Sequence, residues 1–513
     1  MPHRLARAVL GLGLGAGLCV GLGACAVKGA TAAAPGPAPS ATAATPAPVG
    51  PAQLPPAWAQ AGELPGTAPD AEALARWWRL LDDARLDRLM QRALAHNSTL
   101  AQAQASLRQA QAVRRATEAS QAPAVSASAG YSRSRSAGST VPRAEAGLSA
   151  GWSPDLNGAQ AAARRAAEAD ESAALADVDT ARMTLAAQVG LAYLGWCDAR
   201  LREELQRRYA ESLGQTLVLT RWRAQAGLDS VLTLEQARLA AEQALAALPL
   251  LAIEAAQAEH QLAALTGQTP GAVQALLAGP AGWPDERAAL QGLATGVPAD
   301  LLRRRPDLRA AEAAVQAQWA RRDQTRREGW PGLSLSGSLG FQALSLGALG
   351  GAGTGVAALA ATISGPLWDH GQRDALVAQQ DAALDLSRLQ YEAAVRTALQ
   401  EVEDALVALR GHSVRLEPLA RAADAAEALA QTTRQQREAG LVALTDQLSA
   451  ERSLQSALLN LQAGRALRTQ ALVTLYQVLG GGWAPDVAAP GAPPASAPAS
   501  SPATAVQDHA TRS

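Results

Sequence analysis

The chain has 513 residues, 48% of them hydrophobic but only 3% aromatic, so a large core is available but must be built mainly from Ala and Leu. Such a mixture favours long helices over an aromatic-rich globular core. Formal net charge is −1 and the basic residues are interspersed with acidic ones, which leaves no concentrated basic face for a phosphate backbone and argues against nucleic acid as a partner.

The N-terminus sets His3, Arg4 and Arg7 ahead of an apolar, glycine-rich run from Ala8 to Ala24 that is too short and too broken to span a membrane. It reads as an export signal over residues 1–24. Its end, Leu22-Gly23-Ala24-Cys25, resembles the lipobox at which bacterial lipoproteins are cleaved and acylated. Cys25 is then the lipidated first residue of the mature chain, with an ordinary signal peptide cleaved near Ala24 as the alternative. Residues 25–69 and 485–513 are rich in Ala, Pro, Thr and Gly without sustained period, a composition that reads as a disordered tether and tail. The remaining Cys197 reads as a buried small hydrophobe.

Between 70 and 484 the sequence repeats. Leu156-Asn157-Gly158 and Asp369-His370-Gly371 each open a long Ala-rich helix; Ala226-Gly227-Leu228 and Ala439-Gly440-Leu441 each interrupt it; Leu265-Thr266-Gly267 and Val478-Leu479-Gly480 each end the next helix. The second set of glycines stands 213 positions beyond the first, whereas Leu100 and Pro123 stand 208 positions before Leu308 and Pro331. An insertion in a surface turn accounts for the change in offset. The two repeats occupy 70–300 and 301–484, each running helix, two strands, very long helix, tight turn, shorter helix.

The helix from Gly158 to Gly227 spans about 100 Å and its return to Gly267 roughly 60 Å at helical rise. Helices of that length need partners, and their many alanines allow close approach. Gly227 and Gly440 suit the left-handed position at a helix C-terminus, making each the tip of a helical hairpin. Pro249 and Pro418 each stand 22 residues from a tip glycine, which predicts a bend or break at one common level.

Strands are predicted at about 123–133 and 143–152, and at about 331–342 and 353–364. Val125, Ala127, Ala129 and Tyr131 alternate with Ser126, Ser128, Gly130 and Ser132, as Leu333, Leu335, Leu339 and Phe341 do with Ser334, Ser336, Ser338 and Gly340. This period of two suits a barrel between lipid and water; residues 353–364 are blurred by small side chains. Four strands cannot close a spanning barrel, and an open edge in lipid would leave backbone groups unpaired, so several chains must complete it. Trp152, Trp330 and Trp368 fall at strand ends, where an interfacial aromatic belt belongs.

Arg304-Arg305-Pro306-Asp307-Leu308-Arg309-Ala310-Ala311-Glu312 resembles the RRPD-[IVL]-RxAE run of TolC-like outer-membrane efflux factors, RND-type and often called the NodT family. Pro366-Leu367-Trp368-Asp369, the lipobox, the two Gly-Leu tips and Pro249 share the resemblance, which covers nearly all of 70–484. It implies a mainly α fold with membrane β: a homotrimer with a shared twelve-stranded β-barrel in outer-membrane lipid and a helical barrel through the periplasm. It also implies docking of Gly227, Leu228, Gly440 and Leu441 onto a periplasmic membrane-fusion adaptor fed by an inner-membrane RND-type pump. Drugs or other small solutes would leave through this duct.

The six histidines show no ligand spacing, and no phosphate loop or nucleophile elbow is present, so neither enzymatic activity nor a cofactor beyond lipid on Cys25 is expected. The acidic pairs Glu203/Glu204 and Glu401/Glu403 read as solvated helix faces. Closed channels of the resembled family carry acidic residues in the second hairpin, and Asp446 is the gate candidate here; a neighbouring position often acidic in relatives is Ser449. Thr233 is its counterpart in the first hairpin, and with Gln236 it has capping-box spacing, so the pair also reads as helix starts. A periplasmic coiled-coil lipoprotein that scaffolds other envelope proteins is the alternative to a channel.

Overall fold

The first half opens with a short helix α1 (Ala71–Ala75), a 3-10 turn at Trp77–Leu81, α2 (Ala84–His96) and α3 (Ser98–Ala119). Strands β1 (Ala124–Ser136) and β2 (Ser139–Trp152) follow, then the hairpin of α4 (Ala159–Gln225) and α5 (Val231–Leu265). Short helices α6 (Gln274–Leu277), α7 (Arg287–Gln291) and α8 (Pro298–Arg304), which the sequence reading did not foresee, lead to the second half. That half comprises α9 (Pro306–Arg327), β3 (Gly332–Ala343), β4 (Gly355–Ser364), α10 (Gln372–Glu438) and α11 (Leu444–Val478). This computed structural model describes residues 54–60, 62, 70–136, 138–279 and 282–483, within a unit that begins at Ala47. The export signal, Cys25 and the 485–513 tail lie outside the described residues, as does most of the 25–69 tether.

Corresponding elements match in length: α3 and α9 have 22 residues each, α4 and α10 have 67, and α5 and α11 have 35. The change in offset falls where a turn tolerates it, since residues 137–138 join β1 to β2 whereas 344–354 join β3 to β4. Pro249 and Pro418 lie inside α5 and α10, and neither ends its helix. Of the bend or break expected there, the break does not occur, because an interior proline costs about 3 kcal/mol and cannot undo packing along the whole helix pair.

Each hairpin turns through one motif. Gly227 (φ 74°) and Gly440 (φ 72°) take the left-handed position, where a Cβ would clash with the carbonyl that follows. Their N–H groups donate to Ala224 and Arg437 carbonyls at 3.0 Å, while Leu228 and Leu441 N–H donate to Arg223 and Gln436 carbonyls at 2.8 Å. Orphan carbonyls of the long helices are satisfied in this way.

The Arg-Arg-Pro-Asp run explains itself at the start of α9. Pro306 occupies the first helical position, where its missing N–H costs nothing. The side chain of Arg305, 7% exposed, forms a two-pronged pair with Asp307 at 3.0 and 2.6 Å and reaches Glu401 on α10 at 2.6 Å. It thereby clamps α9 to α10. The acidic pairs are correspondingly more than solvated faces: Glu403 accepts the Ala59 and Gln60 N–H groups at 2.7 and 3.0 Å, and Glu203 and Glu204 pair with Arg200, Arg207 and Arg208.

The largest core lies where α2 and the 3-10 turn pack on α4, α10 and α11. Trp77 stacks on Tyr476 with ring centres 5.9 Å apart, over Gly190 of α4. Cys197 is buried there, and burial pushes its thiol up to about 12, in keeping with an inert small hydrophobe.

Candidate functional site: the sheet face and the hairpin tips

The four strands form one antiparallel sheet in the order β1-β2-β3-β4. Pairing sets Val125, Ala127, Ala129 and Tyr131 beside Ala150, Leu148, Ala146 and Ala144, and these beside Gly337, Leu339, Phe341 and Ala343. Leu333, Leu335 and Leu339 lie opposite Ile363, Ala361 and Ala357 of β4. One face is therefore apolar across all four strands, because side chains two apart share a face. The blur in β4 disappears: Leu359 and Ile363 belong to the apolar face, Val356, Ala358, Ala360 and Thr362 to the other. That other face carries the serines and glycines, with Arg143 paired to Glu145 at 3.4 Å.

Among the described residues nothing covers the apolar face: Leu359 is 89% exposed and Leu339 66%. Among the described residues both outer strands keep an unpaired edge. Around the helix end of the sheet stand Trp152, Trp330 and Trp368, all exposed; Trp152 Nε1 donates to the Gln121 carbonyl at 3.1 Å.

At the opposite end of the helices, Leu228 and Leu441 follow the two turn glycines and are exposed, together with Val231 and Leu232. Asp446 is exposed and sits in the first turn of α11, where its carboxylate accepts the Ala443 N–H at 3.1 Å. It has helix-starting geometry. Its counterpart differs from expectation: the α5 cap is Ser230, whose hydroxyl accepts the Thr233 N–H at 3.1 Å, so Thr233 lies one turn inside. Local capping by the serine wins because its side chain can reach back over the exposed first turn.

Sequence reasoning missed the contact that joins the tips. Asp229 of the first turn accepts from Arg223 Nε at 2.8 Å and from Arg437 Nη2 of the second hairpin at 3.1 Å, with its side chain only 8% exposed. Burial alone would raise this carboxyl, but hydrogen bonds and charge from the two guanidiniums outweigh it and hold it below the usual carboxylate range. Further along, Arg434 donates to Ser212 at 3.2 Å, Gln455 to Gln206 at 3.0 Å and Gln462 to Asp198 at 3.3 Å. Between Asp198 and the tips the hairpins thus meet largely through a polar ladder, with a small apolar cluster of Leu213, Ala237, Ala241, Ala244, Leu444 and Leu448 between its rungs. Polar contacts of this kind separate at lower cost than a dry core, since water replaces each hydrogen bond.

Comparison with known proteins agrees with this geometry. The family described as outer membrane efflux protein matches residues 89–268 and 297–481. The chain is 31% identical to the pyoverdine export outer membrane protein OpmQ of Pseudomonas aeruginosa, over 81% of this chain and 89% of that protein. It is also 31% identical to the outer membrane protein OprJ of the same species, over 79% and 86%. Among solved structures, the outer-membrane channel OprN superposes with a TM-score of 0.76 at 29% identity, covering 84% of this chain and 97% of that one. With the family matched across both repeats and full-length relatives in the outer membrane, the channel reading prevails over the scaffold, and the chain belongs to the outer membrane efflux protein family.

Proposed function

We propose that three copies of this chain close a twelve-stranded barrel and a helical tunnel that together form the passive exit duct of a tripartite efflux system. The observation that carries this reading is the four-stranded sheet whose edges and continuous apolar face are left open among the described residues. In lipid its two edges need strands from other copies. Leu239, Leu245, Leu250 and Ile253 leave apolar surface exposed along α5, which neighbouring copies would cover. Two similar tips per chain give a trimer six near-equivalent ends, and Gly227, Leu228, Gly440 and Leu441 are the surface offered to a periplasmic adaptor coupled to an inner-membrane RND-type pump. Drugs or other small solutes are the proposed cargo; the relative OpmQ is named for the export of pyoverdine.

Opening the tips requires the second hairpin to leave the first, which breaks the Arg437–Asp229 pair. Asp446, exposed two turns from the tip, supplies an acidic ring when three copies meet, with one oxygen still capping its helix. Cys25 carries the lipid that tethers the N-terminus to the membrane. Planar-bilayer recording of the purified protein, combined with heat-dependent gel migration, tests the duct: stepwise currents from a heat-labile oligomer are expected, and a non-conducting soluble monomer would overturn it. Cells fed labelled palmitate should label the wild type and leave Cys25→Ala unlabelled.

A further inference from the structure

The β1–β2 hairpin continues past the last β2–β3 pair, Ala144↔Ala343, through the β1–β2 pairs from Ser132↔Arg143 to Ser136↔Ser139. On this extension the apolar face changes character. Side chains two apart share a face, so the row Val125, Ala127, Ala129, Tyr131 continues into Arg133 and Arg135. Both arginines are exposed, and their partners across the ladder, Pro142 and Thr140, are neutral. Among the described residues neither guanidinium meets a carboxylate. On the opposite face the nearby Arg143 is paired with Glu145. The cations left without a counter-charge are thus the two on the lipid side.

Arg133 stands about 7 Å beyond Tyr131 along the strand, and Arg135 about as far again. That is the level at which an interfacial aromatic gives way to headgroups. The hairpin end is remote from the helices, so with the helices in the periplasm it reaches the outer leaflet. We propose that Arg133 and Arg135 bind the phosphate groups of outer-leaflet glycolipid, fixing a shell of anionic lipid around the barrel mouth. Guanidinium is suited to this chemistry, since it offers paired donors to phosphate oxygens and is weakly hydrated. The inference rests on the membrane placement proposed above.

The test uses the purified full-length protein and its Arg133→Gln/Arg135→Gln variant, titrated with lipopolysaccharide at low and high salt, with binding followed by native mass spectrometry or thermal shift. The wild type should bind more tightly at low salt, the Gln variant should lose roughly tenfold in affinity at low salt, and Arg133→Lys/Arg135→Lys should retain most of it. Equal affinity of wild type and Gln variant would overturn the proposal. Saturation by inorganic phosphate alone would overturn the lipid assignment. Heat-dependent migration is read on every sample; should the double variant fail to assemble, the single Gln variants carry the same comparison. A wild type that never assembles contradicts the membrane placement instead.

Discussion

Asp229 shows how one side chain can hold two hairpins whose sequences give no hint of meeting. Its folded-state pKa lies below the unfolded value, so its stabilising contribution is fully present above the ordinary carboxylate range and is lost only as pH falls through the depressed value. Acidifying from pH 8 to pH 5 should therefore leave single-channel conductance unchanged as far as this contact is concerned. Asp229→Asn and Arg437→Gln should each raise conductance or opening frequency at neutral pH. Because they break one contact, the double variant should exceed neither single variant appreciably; additive effects would show that the two residues act separately. Asp446 calls for a different substitution. Asn keeps a carbonyl oxygen for the Ala443 N–H but removes the charge, so Asp446→Asn should raise conductance and weaken block by multivalent cations without loss of thermal stability. Unaltered current and block in that variant, with about 1 kcal/mol lost only in Asp446→Ala, would reduce the residue to a cap.

Among the elements, α4 contains a glycine where helix propensity alone asks for alanine. Replacing an interior helical glycine by alanine ordinarily adds up to about 1 kcal/mol of stability. At Gly190, however, an added Cβ would stand 2.6 Å from Trp77 Cη2, and that rigid ring is itself stacked on Tyr476. Overpacking of this kind costs about 1–3 kcal/mol, which outweighs the propensity gain. Gly190→Ala should lower the midpoint of chemical or thermal unfolding, and a raised midpoint would show that the ring can yield. The same balance explains why α5 and α10 run through their prolines: local preference loses to packing distributed over a long helix.

For the whole molecule, the decisive property is the two-faced sheet. Leu359 sits near the middle of β4 on the apolar face, and an arginine there would cost about 2–4 kcal/mol at a bilayer midplane. Multiplied over the copies of an assembly, this should abolish heat-labile oligomer and outer-membrane recovery in Leu359→Arg. Ser336→Arg, on the opposite face, should still assemble and change only conductance. If both variants assemble equally well, the apolar face does not meet lipid.

Much of this architecture was legible from residue order because it depends on local periods. Alternation with period two marks β1 and β3, the spacing of tip glycines measures the helices, and the offsets of 208 and 213 place the inserted turn. A left-handed turn or an amphipathic strand is specified by residues close in sequence, and the eye can find it there. The faces of β4 were not legible, since its small side chains give no alternation until pairing with β3 assigns Leu359 and Ile363 to the apolar side. Nor was the role of Arg305, whose partner Glu401 lies 96 residues away, or that of Asp229, joined to Arg437 across 208. Such contacts pair groups through space, and their energies depend on burial and orientation that only the packed hairpins supply. The sequence by itself determined the repeated strands and long helices, their approximate lengths and the family resemblance; the tertiary structure alone decided which distant charged groups are held together, because nothing in a chain's order states which of its distant segments will become neighbours.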